Sequence, residues 1–289
     1  MKKTDLPKPS TSNCITNRWI DILITLKAVG LGFVVDVVGV GSWILVLMLI
    51  PTPWSILAMA ILLWVFWQFF SGRWGWRSTQ AFRREHFRNV RLSPATWKWG
   101  LIAAMLFVLV FQSGVVITFR IYDFPAGLFK MGYNYDTLPT WMAWLTIIMA
   151  SLVAGICEET GFRGYMQTTL EKHFSPHISI VIVSVVFLSV HLHQAWAPPL
   201  YLHIFMASVL FGYLAYATGS ILPGIIGHFV LDVVNFSYWW SDLAGKFERK
   251  TIDETGIDGH FMLWLVVLLF SFTLFIVVAK KLINIRSLN

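Results

Sequence analysis

The chain has 289 residues, 57% of them hydrophobic and only 13% charged, with a mean hydropathy of +0.67. Roughly a quarter of a soluble domain is charged, so composition excludes that class and points to a membrane protein. The net charge of +7 sits mostly in short segments between apolar runs, where it sets topology; it is no sign of nucleic-acid binding. Fifteen Trp fit a chain with many residues at the headgroup level. Cys14 and Cys157 lie far apart and imply neither a disulfide framework nor a thiolate metal site.

Residues 1–27 are polar and mixed, and read as a cytoplasmic tail ending in an interfacial turn. Lys2, Lys3 and Lys8 are followed by no apolar stretch with a small-residue cleavage site, so a cleaved signal peptide is not expected. Residues 28–139 hold the first transmembrane helices. The first span covers about 28–50 and is interrupted by a single acid, Asp36, which either pairs with a neighbouring helix or marks a polar cavity, the first reading being preferred. Its glycines, Gly30, Gly32, Gly39 and Gly41, permit close helix approach. Pro51 and Pro53 make a turn before a second span at about 54–70. The segment 73–98 is the most basic of the chain, with Arg77, Arg83, Arg84, Arg88 and Arg91, and by the positive-inside rule it is a cytoplasmic loop. A third span covers about 99–119, and the loop 120–139 balances two basic against two acidic residues, as suits the opposite side.

Residues 140–240 are the polar-bearing core. A helix from about Trp141 runs through a charge-free stretch into Glu158-Glu159-Thr160-Gly161-Phe162-Arg163 and on to about Lys172. Ser175-Pro176 ends it. Further helices follow at about 178–193, 200–217 and 225–240, separated by Pro198-Pro199 and by Thr218-Gly219 and Pro223-Gly224. Residues 241–289 comprise an acidic loop, a last span at about 260–279, and a basic tail with Lys280, Lys281 and Arg286. The expected fold is an all-α polytopic bundle of about eight spans, with both termini cytoplasmic and the cell membrane as its home.

Charges inside lipid or an apolar core are costly, so the groups that remain there need a reason. On a helix, residues four apart share a face: Glu159 can meet Arg163, which leaves Glu158 a free carboxylate suited to general-base work. Glu158 lies 17 residues before Ser175 and His191 lies 16 after it. An antiparallel hairpin therefore puts both at one depth, roughly 25 Å from the turn. His228 and Asp232 also share a helix face, close behind Pro223-Gly224. Each group has a plain reading too. The Glu pair could be an interfacial cap, His191 a packing residue like His193 and His203, Phe187 simple core, and His173 and His177 surface turn residues. Several ionisable groups on three helices are nevertheless hard to read as independent.

Glu158-Glu159-x-x-x-Arg163 with its Phe-Arg-Gly ending, Phe187-x-x-x-His191 and His228-x-x-x-Asp232 resemble, in order, the three motifs of the CPBP family. These are the CAAX prenyl protease and bacteriocin-processing (Abi) proteins, which include the type II CAAX endopeptidases. The resemblance covers about residues 141–240 and implies intramembrane proteolysis of peptides or membrane-associated proteins. It makes Glu158 the base that activates a water, helped by His191. His228 and Asp232 would position the oxyanion, with His228 the donor, because an ionised Asp only accepts. Glu159 and Arg163 would hold the motif helix, and Phe162 and Phe187 would wall the cavity. The chain has no His-Glu-x-x-His motif. Glu158, His191 and His228 could supply a zinc set, but the preferred mechanism needs no cofactor. The expected partners are the lipid bilayer and a peptide or membrane-protein substrate. The rival readings are a non-catalytic immunity or scaffold protein of the same fold and a proton-coupled transporter.

Overall fold

The computed structural model describes residues 11–123, 137–192 and 198–287. Among them there is no strand, and the helices form eight rods. The first rod is α1 (Thr11–Asp36), a π-helical turn (Val37–Gly41) and α2 (Ser42–Leu49). It is followed by α3 (Trp54–Phe70), a surface helix α4 (Gln80–Phe87) and α5 (Pro94–Ile121). The fourth rod is continuous through α6 (Thr140–Glu158), a π-helical segment (Glu159–Met166) and α7 (Gln167–Glu171). Then come α8 (Pro176–Val190), α9 (Pro198–Thr218), and α10 (Leu222–Val234) ending in a third π turn (Asn235–Trp239). A single turn, α11 (Ile252–Thr255), leads to the last rod, α12 (Gly259–Ser287).

The expected bundle of about eight spans is thus present as eight rods of unequal length. Five helical segments are long and apolar enough to cross a membrane, at Trp19–Leu49, Pro94–Ile121, Thr140–Glu171, Leu200–Thr218 and Gly259–Ser287. Trp54–Phe70 and Pro176–Val190 are apolar but shorter. The seventh rod, α10 with its π turn, carries His228 and Asp232, which lower its hydropathy. Two boundaries differ most from expectation. The first helix starts at Thr11 rather than near Ala28, because no Pro or Gly interrupts the chain between them and the face with Trp19, Leu23 and Leu26 is already apolar and exposed. α8 stops at Val190, so His191 is its C-cap. The middle of the 120–139 loop and His193 lie outside the described residues.

Local chemistry sets the helix starts. Ser93-Pro94 and Ser175-Pro176 are the same device, with the Ser hydroxyl accepting from the N–H three residues on and Pro in the first turn, where it needs no donor. Packing then gathers the rods. Phe107, Phe211, Leu231 and Phe275 join α5, α9, α10 and α12. Val35, Met59, Phe66, Val153 and Tyr165 join α1, α3 and the fourth rod. Ala28, Phe162, Met166, Val183 and Phe187 join α1 to α8 across the π segment. α1 and that π segment pack with their backbones in contact. A side chain at Gly161 would meet the Gly32 carbonyl oxygen at 2.8 Å and the Asp36 Cβ at 3.0 Å. One at Gly39 would collide with Cys157.

The ends of the bundle are tied differently. At the basic end, Arg88 pairs with Glu171, Lys172 with Glu85 (3.0 Å), and Arg286 donates to the Tyr216 carbonyl. Arg83 is buried and donates to the Phe69, Trp74 and Trp76 carbonyls, while Arg73, Arg77, Arg84 and Arg91 are exposed. The basic loop is therefore part clamp and part solvated surface. At the other end Arg120, fully buried, makes a two-pronged bond to Asp258 at 3.0 Å each and donates to Thr255.

Gly32→Val is expected to force α1 away from a backbone oxygen that cannot yield, at a cost of about 1–3 kcal/mol or more. A lowered thermal midpoint in detergent checks it, with Gly30→Val, which would meet nothing within 4 Å, as the control. The Arg120 hydrogen bond, aided by the Phe261 N–H, holds Asp258 down at about 2. Its folded-state value lies below the unfolded one of about 3.9, so its contribution is complete above about pH 4 and is lost as pH falls towards 2. Wild type and Asp258→Asn should therefore differ in thermal midpoint at pH 6 and converge near pH 2.

Candidate active site

The side chains of the three motifs come from the fourth rod, the end of α8 and the middle of α10, and they meet in the bundle interior. The Glu158–Glu159 step falls where α6 turns into the π segment. Here the hydrogen-bond ladder widens, a feature that recurs at functional sites. The two carboxylates leave on different headings. Glu159 is fully buried, with Oε1 3.0 Å from Arg163 Nη1 and 3.1 Å from His228 Nδ1. Arg163 is also fully buried. It donates to Ser208 Oγ (3.0 Å) and lies 4.5 Å from the Phe187 ring centre and 5.3 Å from that of Phe211. The guanidinium is thus neutralised on one side and faced by aromatic rings on another.

Glu158 takes the opposite heading, into a cavity of about 400 Å³. Its Oε2 has no hydrogen-bond partner among the described residues, and lies 3.6 Å from His191 Nε2 and 3.8 Å from His228 Nε2. The depth match expected across the Ser175 turn is present as a direct approach of the two side chains. His191 Nδ1 is 2.7 Å from the Phe187 carbonyl. A carbonyl only accepts, so Nδ1 carries the proton, and in the neutral ring Nε2 is an acceptor turned towards Glu158. Phe187 also stacks on the His191 ring, with centres 4.2 Å apart. His228 stacks on Phe211 and has carboxylates at both nitrogens: Glu159 at Nδ1 and Asp232 at Nε2, the latter at 3.4 Å.

The cavity wall sorts the expected residues. Glu158, Phe187, His191, His228 and Asp232 line it. Glu159 and Arg163 stand behind His228 and do not. Phe162, expected as a wall residue, is not one: it is wholly buried between Ala28, Met166 and Phe187, because its direction from the widened turn is towards α1 and α8. Asp36, expected to pair with a neighbouring helix, instead lines the cavity, buried, with Oδ1 lacking a partner among the described residues. His203, expected as packing, also reaches the wall and meets Thr118 Oγ1 at 2.6 Å. Asn235 is a further polar wall residue that the motifs do not include. Its signal was the spacing His228, Asp232, Asn235, Trp239, one continuous helix face. His173 and His177 are exposed, as expected.

All three π turns among the described residues adjoin this cavity: one follows Asp36, one follows Glu158, and one begins at Asn235. Among the described residues no group of three or more His, Cys, Asp and Glu side chains is arranged to hold a metal ion.

A bundle of apolar helices enclosing carboxylates and imidazoles, among them a Glu158 Oε2 that accepts no hydrogen bond among the described residues, defines an integral membrane protein with a polar interior site. Residues 140–234, about a third of the chain, match the family described as Type II CAAX prenyl endopeptidase Rce1-like. This match is a likeness of the segment that carries all three motifs to the type II CAAX prenyl endopeptidases. No curated protein and no solved structure matches the chain.

Removing the guanidinium with Arg163→Met would leave Glu159 buried with one partner fewer, an expected loss of about 3–5 kcal/mol. The double variant Arg163→Met/Glu159→Gln should recover much of it, which thermal unfolding in detergent would read as a strong non-additive coupling.

Proposed function

We propose that the chain is an intramembrane endopeptidase in which Glu158 activates a water molecule for attack on a peptide carbonyl. One observation carries this reading: Glu158 Oε2, which accepts no hydrogen bond among the described residues, faces the acceptor nitrogen of His191 and the ring of His228 inside an apolar bundle. Both facing atoms are acceptors and cannot bond each other, so a donor has to come from outside the pair, and a water at the cavity side of the two supplies it. Glu158 takes a proton from that water as its oxygen bonds to the carbonyl carbon, and later returns the proton to the leaving amine. The negative charge that builds on the carbonyl oxygen falls to His228, a donor already polarised by Glu159 at its other nitrogen. Asp232 Oδ2, 3.4 Å from His228 Nε2, leaves that N–H to the oxyanion and balances the positive charge of the doubly protonated ring. Arg163 and Glu159 hold that assembly without touching the substrate. Apolar surroundings strengthen each of these charge interactions relative to water.

The same reading assigns the exposed arginines of segment 73–98 to the cytoplasmic side, and with them the end of α12 and both termini, in the cell membrane. It needs no cofactor. The alternative in which Glu158, His191 and His228 bind zinc is separated by chelation.

A library of internally quenched peptides is to be offered to detergent-purified wild type and to Glu158→Gln, with and without a chelator. The expected result is cleavage that survives chelation and falls at least a thousandfold in Glu158→Gln, whose amide cannot take the proton, while the thermal midpoint is retained. Cleavage lost on chelation and restored by zinc would move the three residues into the metal role. No cleavage by folded wild type would favour a scaffold or transporter of the same fold.

A further inference from the structure

Asn235 lies outside the three motifs, yet its side-chain amide is fixed in direction by a short relay. Trp239 Nε1 can only donate, and it does so to Gln112 Oε1 at 2.8 Å. The Gln112 amide nitrogen must then point the other way, where it donates to Asn235 Oδ1 at 3.0 Å. Asn235 Oδ1 is thereby used up, and its Nδ2 is turned away from Gln112. Amide oxygen and nitrogen are ordinarily interchangeable by a flip. Here an indole two residues up the relay removes the choice. Asn235 is only part-buried, it lines the cavity, and its Nδ2 has no partner among the described residues. N–H groups that open on the cavity can be met by water there, and a substrate that displaces that water has to supply an acceptor in its place.

We infer that Asn235 binds a main-chain carbonyl of the substrate at a subsite away from the scissile bond. This rests on the endopeptidase reading above. The placement decides what kind of acceptor is involved. Asn235 is seven residues beyond His228 on the same helix, a rise of roughly 10 Å, which is about three residues of an extended peptide. The neighbouring wall offers Asp232 and Glu158, which repel an anionic acceptor, so a neutral carbonyl is the fitting group. The rest of the wall near Asn235 is apolar and aromatic, with Phe119, Phe236 and Trp240, and supplies no second side-chain amide. Asn235 therefore anchors one point of an extended chain by a contact made equally in the ground and transition states, which adds to binding and leaves turnover unchanged.

The test uses a peptide that the wild-type protein cleaves, identified from the quenched library, and a series truncated one residue at a time from each end. Asn235→Asp keeps the acceptor for Gln112 but offers the cavity no N–H, and Asn235→Ala removes the side chain. Both are expected to raise KM about tenfold at nearly unchanged kcat. Gln112→Leu, which breaks the relay without altering the cavity wall, should raise KM about threefold. The wild-type advantage over Asn235→Ala should vanish at one truncation from one end, when the bound carbonyl is lost. A merely structural role would not produce that length dependence. Unchanged KM in both Asn235 variants, a fall in kcat alone, or a penalty that persists through every truncation would overturn the assignment and leave the endopeptidase reading intact. Absence of any cleavage by folded wild type would overturn that reading, and this one with it.

Discussion

The structure depends on a buried charge assembly: Glu159 held between Arg163 and His228, with no access to water for either member of its ion pair. In a low-dielectric interior such a group survives only if its partners are close and its remaining donors find acceptors. Ser208 and the rings of Phe187 and Phe211 supply the rest of that environment. The consequence is a division of labour between adjacent residues. Glu159 is committed to its partners, which joins the fourth rod to α10, and Glu158 is left free in the cavity.

That division also explains the irregular backbone. A regular α-helix would carry residues 158 to 166 past α1 on a fixed pitch. The widened turn lets Glu159, Thr160 and Arg163 all face inward while Gly161 keeps the surface thin enough for Gly32 to touch it. Two more π turns, after Asp36 and at Asn235, bend the facing helices at the same cavity. Polar side chains and widened turns coincide in each case, so the cavity is built where three helices depart from ideal geometry together. α1 is part of this site although its sequence lies outside the matched segment 140–234.

Much of this was legible in the residues, and the reasons are specific. Apolar runs and basic loops gave the helical bundle, since a lipid-facing backbone must satisfy itself and charges stay at the ends. Ser-Pro pairs marked helix starts. The equal spacing of Glu158 and His191 about Ser175 gave their meeting, because helical rise is constant. Asp36, His203 and Phe162 were misplaced for one reason: a single residue in a helix announces its chemistry but not its direction, and direction depends on which neighbour it packs against. Asn235 was passed over because an Asn near a helix end is common. Its partner Gln112 is 123 positions away.

The sequence alone determined that the chain is membrane-embedded and all-helical, and that its ionisable groups fall on three ordered motifs, because composition and periodicity act locally and repeat along the chain. The i, i+4 spacing to Arg163 already marked Glu159 as the paired carboxylate, and only the tertiary structure decided what each of the two faces. His228 and Ser208 arrive from α10 and α9 to satisfy the charge pair of Glu159 and Arg163, and the same packing leaves Glu158 facing an open cavity.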